Sequence, residues 1–186
     1  MLSLVQEAKG RKRSEKRMTS AQAAKELKKL NEQHEALLAQ ETRASTFVAA
    51  IQEDIESIRP EYDYGSVQEQ LADLESRIRG LKHAINTFNL TTEVPGFGMT
   101  IDQMLVYIPQ LNARKRRLER MRDRLPKERV SGYGNSSNII EYNYTNYDVK
   151  KAAEDCDAVT DELAKAQNAL DLVNSTVEFA VPGDER

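Results

Sequence analysis

The chain has 186 residues and a formal net charge of −3, so it is long enough to bury a sizeable core and carries no overall attraction for nucleic acid or anionic lipid. Charged residues make up 31% of it and aromatic residues only 6%, without tryptophan, which suits long helices with solvated faces better than a sandwich or a Rossmann-type sheet. It contains neither a membrane-spanning apolar run nor a secretory signal, and its single cysteine excludes an internal disulfide, so we expect a cytoplasmic protein.

Before the first regular apolar pattern, the chain is strongly basic. Because the apolar register is weak here, we predict a basic N-terminal arm over residues 1–20, either a helix on the surface of an assembly or a loosely held segment. Its basic residues are candidate contacts for nucleic acid or another partner, and an amphipathic membrane anchor is a further alternative. These residues are Lys9, Arg11, Lys12, Arg13, Lys16 and Arg17.

The first long apolar pattern predicts a helix over about residues 3 to 57. Apolar side chains recur at alternating intervals of three and four residues, which places them on one stripe that a partner helix can bury. His34 and Glu41 interrupt this stripe, and we expect them to be packing or register residues without a catalytic role. The predicted hairpin or oligomer seam comprises Leu27, Leu30, Leu37, Val48, Ile51 and Ile55.

A second helix is predicted over about residues 66 to 88. Pro60 ends the first helix because proline cannot continue the hydrogen-bond ladder, and Ser66 with Glu69 forms a capping box that opens the second. Two matching heptad patterns joined by a short loop predict an antiparallel hairpin. Because the first helix is longer than the second, part of it needs another partner. The apolar stripe of the second helix is Val67, Leu71, Leu74, Ile78, Leu81, Ile85 and Phe88.

Thr100 and Gln103 form a second capping box, which opens a third helix. Pro109 predicts a kink or an interruption inside this helix, and Pro126 ends it. Its polar face is strongly basic and offers further candidate contacts for nucleic acid or a partner. The residues of this face that we single out are Arg114, Arg116, Arg117, Arg120 and Arg124.

The last third of the chain predicts one strand and one helix. The alternation over residues 139 to 147 indicates a strand, and Asp148 or Asn146 can cap a helix over about 148 to 173. Cys156 lies on the apolar stripe of this helix, where a buried thiol packs like alanine. The segments that follow the second and last helices repeat an Asn-x-Thr and a Val-Pro-Gly pattern. We expect both exits to pair with the 139–146 strand in one small antiparallel sheet.

These elements predict a mainly α fold in a single elongated domain over residues 1–186. Four helices form long, coiled-coil-like antiparallel hairpins, and a small antiparallel β element lies near one end.

A pattern of polar and strand residues marks the region 66–180, namely Asn86, Asn89, Thr91, Thr100, the Ile140-Glu141-Tyr142 strand, Tyr147, Asp148, Asn174, Ser175 and Thr176. In this pattern, residues 66–180 resemble the septicolysin-like family of bacterial proteins. The resemblance implies a self-associating helical hairpin protein with a small β element. The family name suggests a lytic toxin, but the resemblance supplies no catalytic or binding motif for this chain.

Motifs for enzyme chemistry are not found in the sequence. Gly96-Phe97-Gly98 lacks the remaining residues of a phosphate-binding loop, and His34 and His83 lie too far apart in the chain for a helical metal-binding pair. Cys156 has no adjacent activating group. We therefore expect no catalytic, cofactor or metal site and no small-molecule substrate.

Three functions remain. The favoured one is a non-enzymatic, self-associating helical scaffold or interaction protein, which is a homo-oligomer. The first alternative is nucleic-acid binding through the basic segments 9–17 and 114–124, with tyrosines of the 139–147 strand stacking on bases. The second alternative is a membrane-active, toxin-like protein.

Overall fold

The computed structural model describes residues 15–130 and 140–183. Within these ranges the chain forms four long helices, a one-turn helix and six short strands, which confirms the mainly α fold with small antiparallel β elements. The helices are α1 (Ser20–Ala44), α2 (Ile55–Ile58), α3 (Tyr64–Thr91), α4 (Ile101–Arg122) and α5 (Val149–Thr176). The strands are β1 (Glu15–Thr19), β2 (Glu93–Val94), β3 (Met99–Thr100), β4 (Lys127–Arg129), β5 (Tyr142–Tyr144) and β6 (Glu178–Pro182).

The chain divides into two compact units. The first contains the described residues up to Phe88 together with those from Asn174, and the second contains Asn89–Val173. The single elongated domain stays a prediction.

In the first unit, α1 and α3 form the predicted antiparallel hairpin. His34 Nε2 lies 3.5 Å from Glu75 Oε1, and Gln68 Nε2 donates to Glu41 Oε1 at 2.6 Å. Between these two contacts the position advances by seven residues along α1 and falls by seven along α3, so the helices run in opposite directions with one heptad between contacts. Leu30 of α1 is buried in the same hydrophobic cluster as residues of α3.

Within the described residues, the prediction of one helix over residues 3 to 57 is wrong at both ends. Residues 15–19 form β1, which pairs antiparallel with β6, and α1 begins only at Ser20. Thr19 is the cap: its side chain accepts from the Gln22 amide at 3.3 Å, and the Gln22 side chain accepts from the Thr19 amide at 3.0 Å. Because this reciprocal capping box satisfies the first amides of the helix, it fixes the helix start.

The other end of α1 is set by the length of its partner. Extending the hairpin register places Ala44, the last residue of α1, opposite Gly65, the second residue of α3. Ser45, the C-cap, is opposite Tyr64, the first residue of α3, so residues beyond it have no α3 residue opposite them. A short amphipathic helix without a partner is marginal in water. The chain therefore leaves the helix there, although its heptad pattern continues.

The start of α3 also differs from the prediction. The helix begins at Tyr64 because the Asp63 carboxylate accepts from the Ser66 amide at 3.1 Å, so Asp63 and not Ser66 is the N-cap. Ser66 instead accepts a hydrogen bond from the Gln70 side chain at 3.0 Å. The helix continues to Thr91, three residues past the predicted end.

Three separate two-stranded sheets replace the single sheet that the sequence predicted. The exit of α3 turns back at once through Gly96, with φ of 85°, so that β2 pairs with β3. The predicted strand over 139–147 is reduced to β5, which pairs with β4, and residue 139 lies outside the described ranges. The β2–β3 and β4–β5 pairs join segments that are near in the chain, which costs less chain entropy than bringing the three distant segments together. The exit of α5 forms β6, which pairs instead with the distant β1.

In the second unit, α4 and α5 run antiparallel. Tyr107 Oη donates to a Glu162 carboxylate oxygen, and Tyr147 Oη donates to the Met121 carbonyl at 2.7 Å. The predicted Thr100 cap is confirmed. Of the predicted kink or interruption at Pro109, the interruption is wrong, because α4 continues through this residue. The predicted α5 stripe is half-buried at Val149 and buried from Ala152 to Val173, with Cys156 only 1% exposed. The buried side chains of α4 are Ile101, Met104, Leu111 and Leu118.

Candidate interaction surfaces

The predicted seam of the first helix separates into a buried part and an exposed part. Leu30 is 3% exposed within the core, and Leu27 and Leu37 are half-buried on α1. Val48 and Ile51 are 94% and 105% exposed, because they lie beyond the end of α1. Leu27, Leu30 and Leu37 thus belong to the hairpin seam. Ile55, at 51% exposed, belongs with the exposed part.

We call residues 47–58 the apolar segment, because five large apolar side chains in it are exposed. They are Phe47, Val48, Ile51, Ile55 and Ile58.

The polar contacts that stabilise this segment join residues close together in the chain. Glu53 donates its amide to the Ala50 carbonyl at 3.0 Å, and the Asp54 carboxylate caps the one-turn helix α2 by accepting from the Glu56 amide at 3.2 Å. The Arg59 guanidinium lies 5.9 Å from the centre of the Phe47 ring. These local contacts hold the backbone while leaving the apolar side chains exposed to solvent.

A polar cluster anchors the chain that returns from the apolar segment to α3. The Glu41 carboxylate accepts from Tyr62 Oη at 3.1 Å and from Gln68 Nε2 at 2.6 Å. Partial burial and the hydrogen bond to Glu41 raise the pKa of the Tyr62 hydroxyl above its ordinary value. The heptad pattern marked Glu41 only as a polar interruption and gave no sign of these partners, which come from 21 and 27 residues further along the chain.

A cleft of ≈ 540 Å³ lies on the hairpin around His34 and Glu75. His34 is half-buried and contacts Glu75, which agrees with the expected packing or register role. Within the described ranges no group of three or more His, Cys, Asp or Glu side chains is arranged to hold a metal ion.

Part of the predicted basic arm lies outside the described residues, namely Lys9, Arg11, Lys12 and Arg13. Lys16 and Arg17 are strand residues of β1, so a helical or loosely held arm is wrong for this part of it. The Arg17 guanidinium donates to the Glu178 carbonyl at 3.1 Å and lies 3.8 Å from its carboxylate. Arg17 is therefore partly engaged in holding β1 against β6.

The predicted basic face on α4 is present and exposed. At 100° per residue, the side chains of Arg116, Arg117 and Arg120 lie on the side of the helix opposite the buried Leu111 and Leu118. Around this end of α4 the described ion pairs involve other basic residues, Lys115 with Glu119 and Arg122 with Asp123. We call Arg116, Arg117, Arg120 and the nearby Arg124 the arginine stripe; the fifth predicted residue, Arg114, is also exposed.

A face of two cations and two tyrosines follows the arginine stripe in the chain. Lys127 of β4 pairs with Tyr144 of β5, and Arg129 pairs with Tyr142, so all four side chains share one face of the sheet. The Lys127 Nζ atom lies 4.0 Å from the centre of the Tyr142 ring and 5.5 Å from that of Tyr144. Tyr142 and Tyr144 are 41% and 66% exposed. We call these four residues the tyrosine face.

The alternation that predicted a strand over residues 139 to 147 places Tyr142 and Tyr144, two residues apart, on the same face, and the structure confirms this. The sequence did not reveal that Lys127 and Arg129 join them, because a three-residue strand is too short to show a period of two. The only local signal before β4 was Pro126, and this proline predicted the end of a helix and not the start of a strand.

Across the ranges that the structure describes, none of the helices combines the length and apolar character needed to cross a membrane.

No family model matches the chain, and neither does any curated protein. A similar fold occurs in the crystal structure of a functionally unknown conserved protein from Corynebacterium diphtheriae, with a TM-score of 0.53 and 18% sequence identity. The similarity covers 88% of this chain and 99% of that protein. It shows a shared fold, while the resemblance to the septicolysin-like family stays a prediction.

Proposed function

We propose that the protein is a non-enzymatic helical interaction protein that associates with a second copy of itself through the apolar segment. The observation that carries this proposal is the exposure of Val48 and Ile51, at 94% and 105%. Both residues continue the heptad whose earlier member, Leu30, is buried at 3%. The chain thus keeps a helix-forming apolar stripe where its own hairpin has no helix to cover it.

Burial of this stripe supplies a driving force for association. Fully burying a valine or isoleucine side chain contributes about 1.5–3 kcal/mol relative to leaving it in water. Several such side chains from each copy are needed, because association itself carries a large cost in translational and rotational freedom. The apolar segment offers five.

The spacing within the segment favours a second copy as the partner. Val48, Ile51, Ile55 and Ile58 keep the alternating intervals of three and four residues that bring apolar side chains to one helix face. When two copies meet about a two-fold axis, the apolar stripe of one copy packs against the same stripe of the other. Each α1 then extends by roughly 14 residues, or about 21 Å, and the newly helical segments pack against each other.

Light scattering coupled to size exclusion tests the proposal directly. We expect a discrete multiple of the 21.1 kDa chain that persists in high salt, because apolar contacts are insensitive to screening. The double variant Val48→Ser, Ile51→Ser is expected to shift the protein to a monomer. The matched control is Leu90→Ser, Val106→Ser, which removes two other apolar side chains that are 60% and 58% exposed.

Far-UV circular dichroism gives a second readout. Helix content of the unmodified chain should rise with protein concentration, and that of the Val48, Ile51 variant should not. A mass of 21.1 kDa at every concentration, or dissociation caused equally by the control variant, would contradict the proposal.

A further inference from the structure

We infer that the arginine stripe and the tyrosine face together form a binding site for single-stranded nucleic acid. This inference is independent of self-association, because the site lies within the second compact unit and uses none of the apolar segment.

The charge of the chain is concentrated at this site. Residues 114–130 contain nine basic and three acidic side chains, a local charge of +6, whereas the whole chain carries −3. The rest of the protein therefore carries −9. A cationic segment of this density attracts phosphates and releases their counterions on binding, even though the molecule is acidic overall.

The arginine stripe is costly for the fold by itself. Arg116 and Arg120 are four residues apart on one helix face, where like charges destabilise a helix. No ion pair to a carboxylate is found for Arg116, Arg117 or Arg120 within the part of the chain that the structure describes. The C-terminal end of a helix favours cations, but only within its last turn, so it accounts for Arg120 and not for Arg116 and Arg117. A polyanionic ligand supplies the missing compensation.

The tyrosine face adds a means of binding bases. Exposed aromatic rings beside cations are the stacking platform that binds single strands, because every unpaired base has a face that can stack. Tyr142 and Tyr144 lie 6.3 Å apart, at an interplanar angle of 53°, and keep 41% and 66% of their surface exposed. Bases in a duplex are already stacked and paired, so these rings favour a single strand over a duplex.

The two surfaces are held together by direct contacts. Tyr147 Oη donates to the Met121 carbonyl at 2.7 Å, near the end of α4. The Thr145 amide donates to the Pro126 carbonyl at 3.2 Å, between α4 and β4. These bonds fix β5 beside the end of α4, so one ligand strand can contact arginines and tyrosines at the same time.

Fluorescence anisotropy of a labelled 20-nucleotide oligothymidylate, titrated with the full chain at several salt concentrations, tests the inference. We expect affinity to fall as salt rises. The triple variant Arg116→Gln, Arg117→Gln, Arg120→Gln should bind at least about tenfold more weakly at low salt. It should also reduce the slope of log affinity against log salt by about 2, as expected for the loss of three phosphate contacts on a single strand.

Two tyrosine variants separate stacking from charge. Tyr142→Leu, Tyr144→Leu should weaken binding by about tenfold or more, with the salt slope unchanged. Tyr142→Phe, Tyr144→Phe keeps the rings and should bind as the unmodified chain does. Circular dichroism checks that each variant is folded.

The matched charge control is Lys25→Gln, Lys28→Gln, Lys29→Gln, which removes three exposed cations from α1. It should bind oligothymidylate normally, and so should the Val48→Ser, Ile51→Ser variant. If the Val48→Ser, Ile51→Ser variant lost binding while the lysine control bound normally, the site would need the oligomer. That result would overturn the independent site inferred here.

Competition identifies the ligand class. A duplex, inorganic polyphosphate and polyglutamate should each compete less well than oligothymidylate. Equal competition by polyphosphate, together with normal binding by the leucine variant, would replace a nucleic-acid site with one for polyanions in general. Absence of binding at low salt, or equal weakening by the lysine control, would also overturn the inference.

Discussion

Leu30 and Ile51 occupy the same predicted seam, but the structure predicts very different effects on stability when each is substituted. Leu30 is 3% exposed in a cluster that includes Ala23, Leu81 and Val181, whereas Ile51 is 105% exposed. We expect Leu30→Ala to destabilise the isolated chain strongly and Ile51→Ala to leave its stability almost unchanged.

The magnitude follows from the atoms removed. Leu30→Ala deletes three buried carbon atoms and leaves a cavity between α1, α3 and β6, which costs about 3 kcal/mol. For a chain of this length, that cost corresponds to a fall in Tm of about 6–12 °C. Ile51→Ala removes side-chain atoms that are already in water, so its free energy of unfolding should change by less than about 0.5 kcal/mol.

The assay is urea unfolding followed by circular dichroism, repeated over a range of protein concentrations. At the lowest concentration only Leu30→Ala should lower the midpoint. As concentration rises and copies associate, Ile51→Ala should become destabilising as well, because its side chain is then buried. Equal destabilisation by both variants at the lowest concentration would refute the reasoning, since it would mean that the apolar segment is already buried within one chain.

Two further predictions concern the second unit. Gly96→Ala should lower the free energy of unfolding by about 1–2 kcal/mol in urea titrations, because φ at this position is +85°. The space around a new Cβ is open, so the cost is purely conformational. An unchanged midpoint would show that this turn adopts another conformation. The hydrogen bond to Glu162, together with partial burial, raises the pKa of the Tyr107 hydroxyl above 10.0. The neutral hydroxyl therefore contributes its full stabilisation below that pH, and this stabilisation is lost as pH rises through the higher pKa of the folded state. Tyr107→Phe should therefore be less stable near neutral pH and lose less stability between about pH 9 and 11, and parallel pH profiles for the two proteins would exclude this coupling.

The sequence by itself determined the helices and what they bury. Intervals of three and four residues identified the apolar stripes of α3 and α5, whose side chains are buried or half-buried, since this periodicity reflects helix geometry alone. Cys156 is among the buried ones. The Thr100 cap was equally local, because both halves of a capping box lie within four residues. The basic face of α4 could also be read directly from the order of residues.

Where each helix stops, and which strand pairs with which, depended on the tertiary structure. The heptad continues past Ala44 without change, and only the start of α3 at Tyr64 shows why α1 ends there. The pairing of β1 with β6 joins residues 159 to 167 positions apart, and no local pattern encodes such a partner. The same holds for the tyrosine face, which exists only because β4 aligns Lys127 and Arg129 with two tyrosines of β5. Periodicity reports which face of an element is apolar, whereas the partner that covers it is chosen by packing between distant parts of the chain.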